Sequence, residues 1–208
     1  MNHAKKFDVR YLTQLAILVA VELVMKLIGL GSVPVGPLYM SFLTVPIAVG
    51  AIILGPMAGA ILGGVFGIVS FLDAIKGASV MTTALLAVSP LHTFILCFGM
   101  RVLMGTCVGW VYRAAERLCA KPAVGCFAAS LAAPVLNTLF FMGYLVLAFY
   151  NTDYVQSLVA AKGAVNPLMF VVLLVGVQGV VEAIVCSVAG TAIACGVRKA
   201  LGNMQAPR

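Results

Sequence analysis

The chain has 208 residues, of which 63% are hydrophobic and only 9% charged, and its mean hydropathy is +1.14. Soluble domains carry about 25% charged residues, so water could not solvate a surface built from this chain and its solvent must be lipid. The formal charge of +7 is scattered and lacks interleaved aromatics, which argues against a nucleic-acid-binding surface.

Some stretches lack Asp, Glu, Lys and Arg altogether, among them Leu27 to Leu72, Pro122 to Thr152, and Gly163 to Val181. A membrane helix needs about 20 such residues to cross a hydrocarbon core of roughly 30 Å. The first stretch is too long for one crossing and must turn back on itself.

Glycine and proline divide the chain into elements. Helix 1 is expected from Tyr11 to Leu30, ending at Gly31. Gly31 to Leu38, with Pro34 and Pro37, reads as a loop. Helix 2 follows from Tyr39 to Leu54, Gly55-Pro56 is a tight break, and helix 3 runs from Met57 to Leu72. Asp73 to Pro90 is a longer connection containing Lys76, Gly77 and Ser89-Pro90. Helix 4 is expected from Leu91 to Arg117, helix 5 from Ala123 to Phe149, and helix 6 from Leu168 to Val197. The segment Tyr150 to Pro167 is polar and ends at a proline. Loops are the only linkers, so residues 1–208 read as one all-α integral membrane domain of six transmembrane helices. No internal repeat or low-complexity segment is visible.

Basic residues set the orientation. Lys5, Lys6 and Arg10 precede helix 1; Arg113, Arg117 and Lys121 lie between helices 4 and 5; Arg198, Lys199 and Arg208 follow helix 6. The opposite side has only Lys76 and Lys162 in its loops. Six crossings bring the three clusters to one side, and the positive-inside rule puts both termini in the cytoplasm. The first apolar segment has a basic start, but it contains Glu22 and Lys26 and lacks a small-x-small cleavage site. It reads as a retained helix rather than a cleaved signal.

The cysteines, Cys97, Cys107, Cys119, Cys126, Cys186 and Cys195, form no Cys-x-x-Cys pair and lie in or beside apolar spans. That pattern fits packing better than a metal or redox site. His3 and His92 are too isolated to ligate a metal, so neither a metal nor a cofactor is expected. Gly-x-Ser-x-Gly, His-Glu-x-x-His and Walker sequences are missing. Enzyme activity is therefore not expected, and neither is transport driven by the chain's own ATP hydrolysis.

Small residues recur at helical spacing. Gly55, Gly59, Gly63 and Gly67 stack on one face of helix 3, Gly105 and Gly109 on helix 4, and Ala16 and Ala20 on helix 1. Such stripes allow close helix approach. For helix 3 the expected use is internal packing. For Ala16 and Ala20 an outward groove that docks a partner subunit is the competing reading.

Polar residues inside the spans are costly and mark candidate sites. Glu22 and Lys26 are four apart and could pair. Arg101 lies about seven residues inside helix 4, roughly 10 Å deep at 1.5 Å per residue. Asn137 and Tyr144 share a face of helix 5, and Gln178 and Glu182 share a face of helix 6. Together they place polar groups at similar depth in the outer halves of helices 1, 4, 5 and 6. The bland alternative is a buried ion pair of Arg101 with Glu22 or Glu182. Arg101 and Asn137 lean toward ligand binding, because a guanidinium offers planar bidentate geometry to a carboxylate.

These features, with the run Gly31 to Leu72, resemble the substrate-binding S components of energy-coupling factor (ECF) transporters, most closely the pantothenate type. The resemblance rests on Pro34-Val35-Gly36-Pro37, Val45-Pro46-Ile47, Leu54-Gly55-Pro56 before the glycine-spaced helix, Ser89-Pro90, Arg101 to Gly105, and Ala133 to Thr138. Pantothenate-type sequences usually carry histidine just before the helix 2 proline, where this chain has Val45. The resemblance implies a multi-pass bacterial cell-membrane subunit, embedded in lipid, that captures a vitamin from outside. It implies docking through Ala16-x-x-x-Ala20 on a transmembrane coupling (T) subunit carrying two cytoplasmic ATPases. It further implies toppling of the S component to release its cargo inside, with Gly31 to Leu38 and Asp73 to Pro90 as lids. On this reading Arg101 takes the pantothenate carboxylate, and Asn137, Tyr144 and Gln178 serve amide or hydroxyl groups. Riboflavin or another vitamin is the nearest alternative substrate. A self-sufficient secondary transporter or channel is the alternative outside the family, and a membrane enzyme stands third.

Overall fold

A computed structural model describes residues 9–31, 33–35, 38–119 and 121–205. Lys5, Lys6, Arg208 and the Gly36-Pro37 pair lie outside them. Helix α1 (Val9–Leu27) is followed by a hairpin of β1 (Val33–Val35) and β2 (Leu38–Met40), paired antiparallel with Val33 opposite Met40. Then come α2 (Thr44–Ile53), α3 (Pro56–Ile75), α4 (Val80–Val88), α5 (Pro90–Leu118), α6 (Pro122–Phe149), α7 (Asp153–Lys162) and α8 (Pro167–Gln205).

The helical bundle agrees with the expected class, but several boundaries move. Tyr39 belongs to a strand and not to helix 2, which begins only at Thr44. Gly31 to Leu38 contains a hairpin strand where a loop was expected. The connection Asp73 to Pro90 contains α4, and the polar segment Tyr150 to Pro167 contains α7. Both short helices bury an i, i+4 apolar pair, Met81 with Leu85 and Val155 with Val159. That spacing gives a single turn of contact and is easily lost within a mixed sequence. Helix α7 also carries Asp153 in its first turn and Lys162 in its last, matching the helix dipole, and ends on Gly163 at φ +63°, a left-handed cap.

Among the described residues four helices, α3, α5, α6 and α8, are long and apolar enough to cross a membrane. Helix α2 has ten residues and buries nine of them, Thr44 to Ile52, so it is an internal strut. Being apolar on every side suits it to burial rather than to one exposed face. Helix α1 carries Arg10, Glu22 and Lys26 within its span.

The glycine stripe of α3 is spent on α5. A Cβ added at Gly59 would collide with the backbone of Gly105, and one at Gly63 with the backbone of Arg101. Gly105 and Gly109 return the contact, meeting Gly59 and Pro56. Internal packing is thus the use of this stripe. Ala16 and Ala20, by contrast, are exposed on α1.

The two ends of the bundle differ. At one end Arg10, Leu54, Glu116 and Arg198 line a common groove, and Arg198 pairs with Glu116 at 3.1 Å. Arg10 and Arg198, one from the basic cluster at each terminus, therefore meet near the end of α5. Toward the other end Lys26 pairs with Asp73 and ties α1 to α3. The Glu22–Lys26 pairing suggested by spacing does not form: Lys26 uses a tertiary partner, while both carboxylate oxygens of the buried Glu22 lack a hydrogen-bond partner.

Candidate functional site

Near the Lys26–Asp73 end a polar cavity lies among α3, α4, α5, α6 and α8. It is lined by Arg101, Asn137, Gln178 and Glu182, by Ser41 and Asp73, and by an apolar wall that includes Phe66, Phe141 and Met142. Ser79, Met81 and Thr82, from the connection expected as a lid, also line it. Its volume of about 90 Å³ has room for roughly six to nine waters at ~10–15 Å³ each.

Arg101 is the centre of the site. It is 8% exposed, and its Cζ lies 4.2 Å from the Phe66 ring centroid and 4.8 Å from that of Phe141. Two aromatic faces hold the guanidinium plane by cation–π attraction. Nη1 donates to the carbonyl oxygens of Cys97 at 3.3 Å and Leu96 at 3.5 Å. Those carbonyls belong to a π-helical turn, Ile95–Gly99, inside α5. A π turn widens the helix by one residue per bond, and such turns are frequent at functional sites. Arg101 Nε is buried without a partner. The buried ion pair is not closed at contact distance: Arg101 and Glu182 line the same cavity and act on each other electrostatically, but among the described residues no carboxylate lies within ion-pair distance of Arg101.

Helix α6 presents Asn137, whose buried Oδ1 lacks a partner. Helix α8 supplies Gln178 and Glu182. Gly176 interrupts α8 with φ +45° and ψ −137°, a conformation open to glycine, and divides it into residues 167–175 and 177–205. The break lies two residues before Gln178. Glu182 is 5% exposed; its Oε2 accepts from the Ser41 backbone N–H at 3.4 Å and its Oε1 has no partner.

Three of the four sequence-derived binding residues, Arg101, Asn137 and Gln178, therefore meet in one cavity. Tyr144 does not line it. Its hydroxyl sits 2.8 Å from His92 Nδ1 at the mouth of α5. Asn137 and Tyr144 do share a helix face, but seven residues separate them by roughly 10 Å along the axis, and that carries Tyr144 past the cavity. Glu182, open on sequence between an ion pair with Arg101 and a ligand contact, also lines the cavity. Its i, i+4 spacing from Gln178 was the available signal that it shares the site. Val45 lines an apolar groove with Leu18, Val49 and Val185, away from the cavity. Among the described residues no cluster of His, Cys, Asp or Glu is arranged to hold a metal.

A bundle rich in apolar spans, with a small polar chamber around a buried guanidinium that no described carboxylate contacts, is the architecture of a membrane protein with a candidate site for a small molecule. The family model for the ECF transporter, substrate-specific component, matches residues 10–194, and the chain belongs to that family. It is thus a membrane-embedded transport subunit rather than an enzyme, of a kind that binds small substrates and associates with T and ATPase subunits. No curated protein sequence matches the chain.

Proposed function

We infer that this chain captures pantothenate from outside the cell and delivers it inward after docking on a T subunit and its two ATPases. The observation that carries the reading is Arg101, a buried guanidinium that lines the cavity with no ion-pair partner. Two carbonyls and two aromatic rings hold the guanidinium, yet no carboxylate meets it at contact distance, so the site suits an anion that arrives and leaves. A carboxylate offers Arg101 its natural acceptor. Asn137 and Gln178 can then serve the amide and hydroxyls of pantothenate. The small volume of the cavity favours such a compact chain over a flavin.

The same proposal counts α1 and the short buried strut α2 with α3, α5, α6 and α8 as the six membrane helices, with both termini in the cytoplasm. The gathering of Arg10 and Arg198 at one end supports that orientation. The outward position of Ala16 and Ala20 supports α1 as the docking face.

The test is isothermal titration of the purified protein with pantothenate. Arg101→Ala is expected to abolish binding while the bundle stays folded by circular dichroism and gel filtration. Unchanged affinity in the variant sinks the assignment of Arg101. A yellow preparation, or release of a flavin detected by mass spectrometry, overturns the choice of vitamin. Uptake by cells lacking the T subunit and the ATPases contradicts the proposed dependence on a partner motor.

A further inference from the structure

The cavity leaves three buried polar atoms idle: Arg101 Nε, Asn137 Oδ1 and Glu182 Oε1. One is a donor and two are acceptors. Buried polar groups in native proteins are nearly always satisfied, so idle groups around one chamber describe their missing partner in negative. Water can serve these atoms in the chamber, and a ligand that replaces it brings an acceptor to α5 and donors to α6 and α8.

Glu182 is the informative member. Its Oε2 is engaged by the Ser41 N–H, which fixes the carboxylate and leaves Oε1 as the free acceptor. Arg101 acts on it through space, but no cation touches it. Lys26 is committed to Asp73, and among the described residues Arg101 forms no ion pair with Glu182. Cys186, one turn further along α8, is taken by the Thr44 hydroxyl at 3.2 Å.

We propose that Glu182 is a specificity-determining residue of the cavity, accepting a hydrogen bond from a neutral donor of the ligand. The substrate class is then a carboxylic acid that also carries at least two separate O–H or amide N–H donors. This rests on the reading of the cavity as the substrate site. Two acceptors on different helices call for donors spaced along a chain, whereas an ammonium concentrates its donors at one point. A simple carboxylic acid without donors would satisfy Arg101 and leave Glu182 and Asn137 empty, so the site discriminates against it.

The experiment is a cycle of two proteins against a ligand series, measured by titration calorimetry. The ligands are pantothenate, its two mono-deoxy analogues and the analogue methylated on the internal amide nitrogen. On the wild type at least one of these deletions is expected to weaken binding ~10- to 100-fold, the range for a hydrogen bond to a charged group. Glu182→Gln has one acceptor oxygen where two are used, so it should weaken pantothenate by a similar factor. The deletion that hurts the wild type should then cost under ~3-fold on Glu182→Gln, because the contact is already lost. A purely structural Glu182 would instead give the same deletion factor on both proteins, and that additivity overturns the proposal. If Glu182→Gln fails to fold, the wild-type series decides alone: no deletion costing tenfold overturns it.

If pantothenate does not bind the wild type, the vitamin assignment falls and the Glu182 inference is read on the molecule that mass spectrometry finds released from the protein. A released carboxylic acid with two or more hydroxyl or amide donors upholds it. A ligand with no carboxylate, or one whose only donor is an ammonium, refutes it.

Discussion

Replacing Gly63 by alanine adds one methyl group at the point where α3 touches the binding arginine. That Cβ would overlap the Arg101 carbonyl oxygen and stand 2.9 Å from its carbonyl carbon, about 0.5 Å short of ordinary contact, with Val102 Cα at 3.4 Å. The obstacle is backbone, which cannot rotate aside, so α5 must retreat from α3. Overpacking of this kind costs about 1–3 kcal/mol. The retreat also draws Arg101 away from Phe66, one turn along α3 from Gly63, whose ring holds the guanidinium at 4.2 Å. If the whole cost falls on the bound state, pantothenate affinity drops roughly 5- to 150-fold at 1.4 kcal/mol per decade. The internal control is Gly59→Ala, which creates a like clash one turn away, against Gly105. It should lower the thermal midpoint comparably while changing affinity far less. Calorimetric titration and a thermal melt in the same detergent separate the two effects. Equal affinity losses for both variants, or no affinity loss for Gly63→Ala, would refute the idea that the α3–α5 seam sets the position of Arg101.

Two further outcomes follow from the geometry. Tyr144→Phe removes a hydroxyl bonded to His92 outside the cavity, so pantothenate affinity should stay within about twofold while stability falls by about 1 kcal/mol; a tenfold affinity loss by titration would return Tyr144 to the site. The double substitution Ala16→Leu with Ala20→Leu enlarges an exposed stripe of α1 and should leave binding in detergent intact while cutting vitamin uptake by cells at least ~10-fold, since small residues permit close helix approach; undiminished uptake would place the docking face elsewhere.

The long elements were legible because lipid and punctuation act locally. Gly55-Pro56, Ser89-Pro90 and Lys121-Pro122 end or start helices through their own backbone constraints. Arg101, Asn137 and Gln178 could be selected because a polar group inside an apolar span needs a reason. What escaped was decided by tertiary contact. Lys26 has Glu22 at the favourable local spacing, yet it bonds Asp73 from another helix. Glu182 was open to an ion pair with Arg101, and nothing in helical periodicity distinguishes a paired carboxylate from an idle one. The π turn at Ile95–Gly99 and the break at Gly176 leave no compositional mark beyond glycines that an apolar helix can equally use for packing.

The same motif has two fates in this chain, and the difference separates its two tasks. On α3 the small residues at Gly59, Gly63 and Gly67 are buried against α5, so the seam that carries Arg101 is closed and stiff. On α1 the stripe at Ala16 and Ala20 is open, flanked by exposed Leu12, Ile17 and Val21, and the helix buries only Leu15 and Glu22. A site that must hold an unpaired charge needs a rigid frame, because relaxation would let Arg101 find an internal partner and abolish the demand for an anion. A surface that must meet and leave a partner needs the opposite, a helix whose outer face is not already consumed. On the proposed function, binding and docking would draw on separate helices, and a partner could grip α1 without forcing the α3–α5 clamp apart.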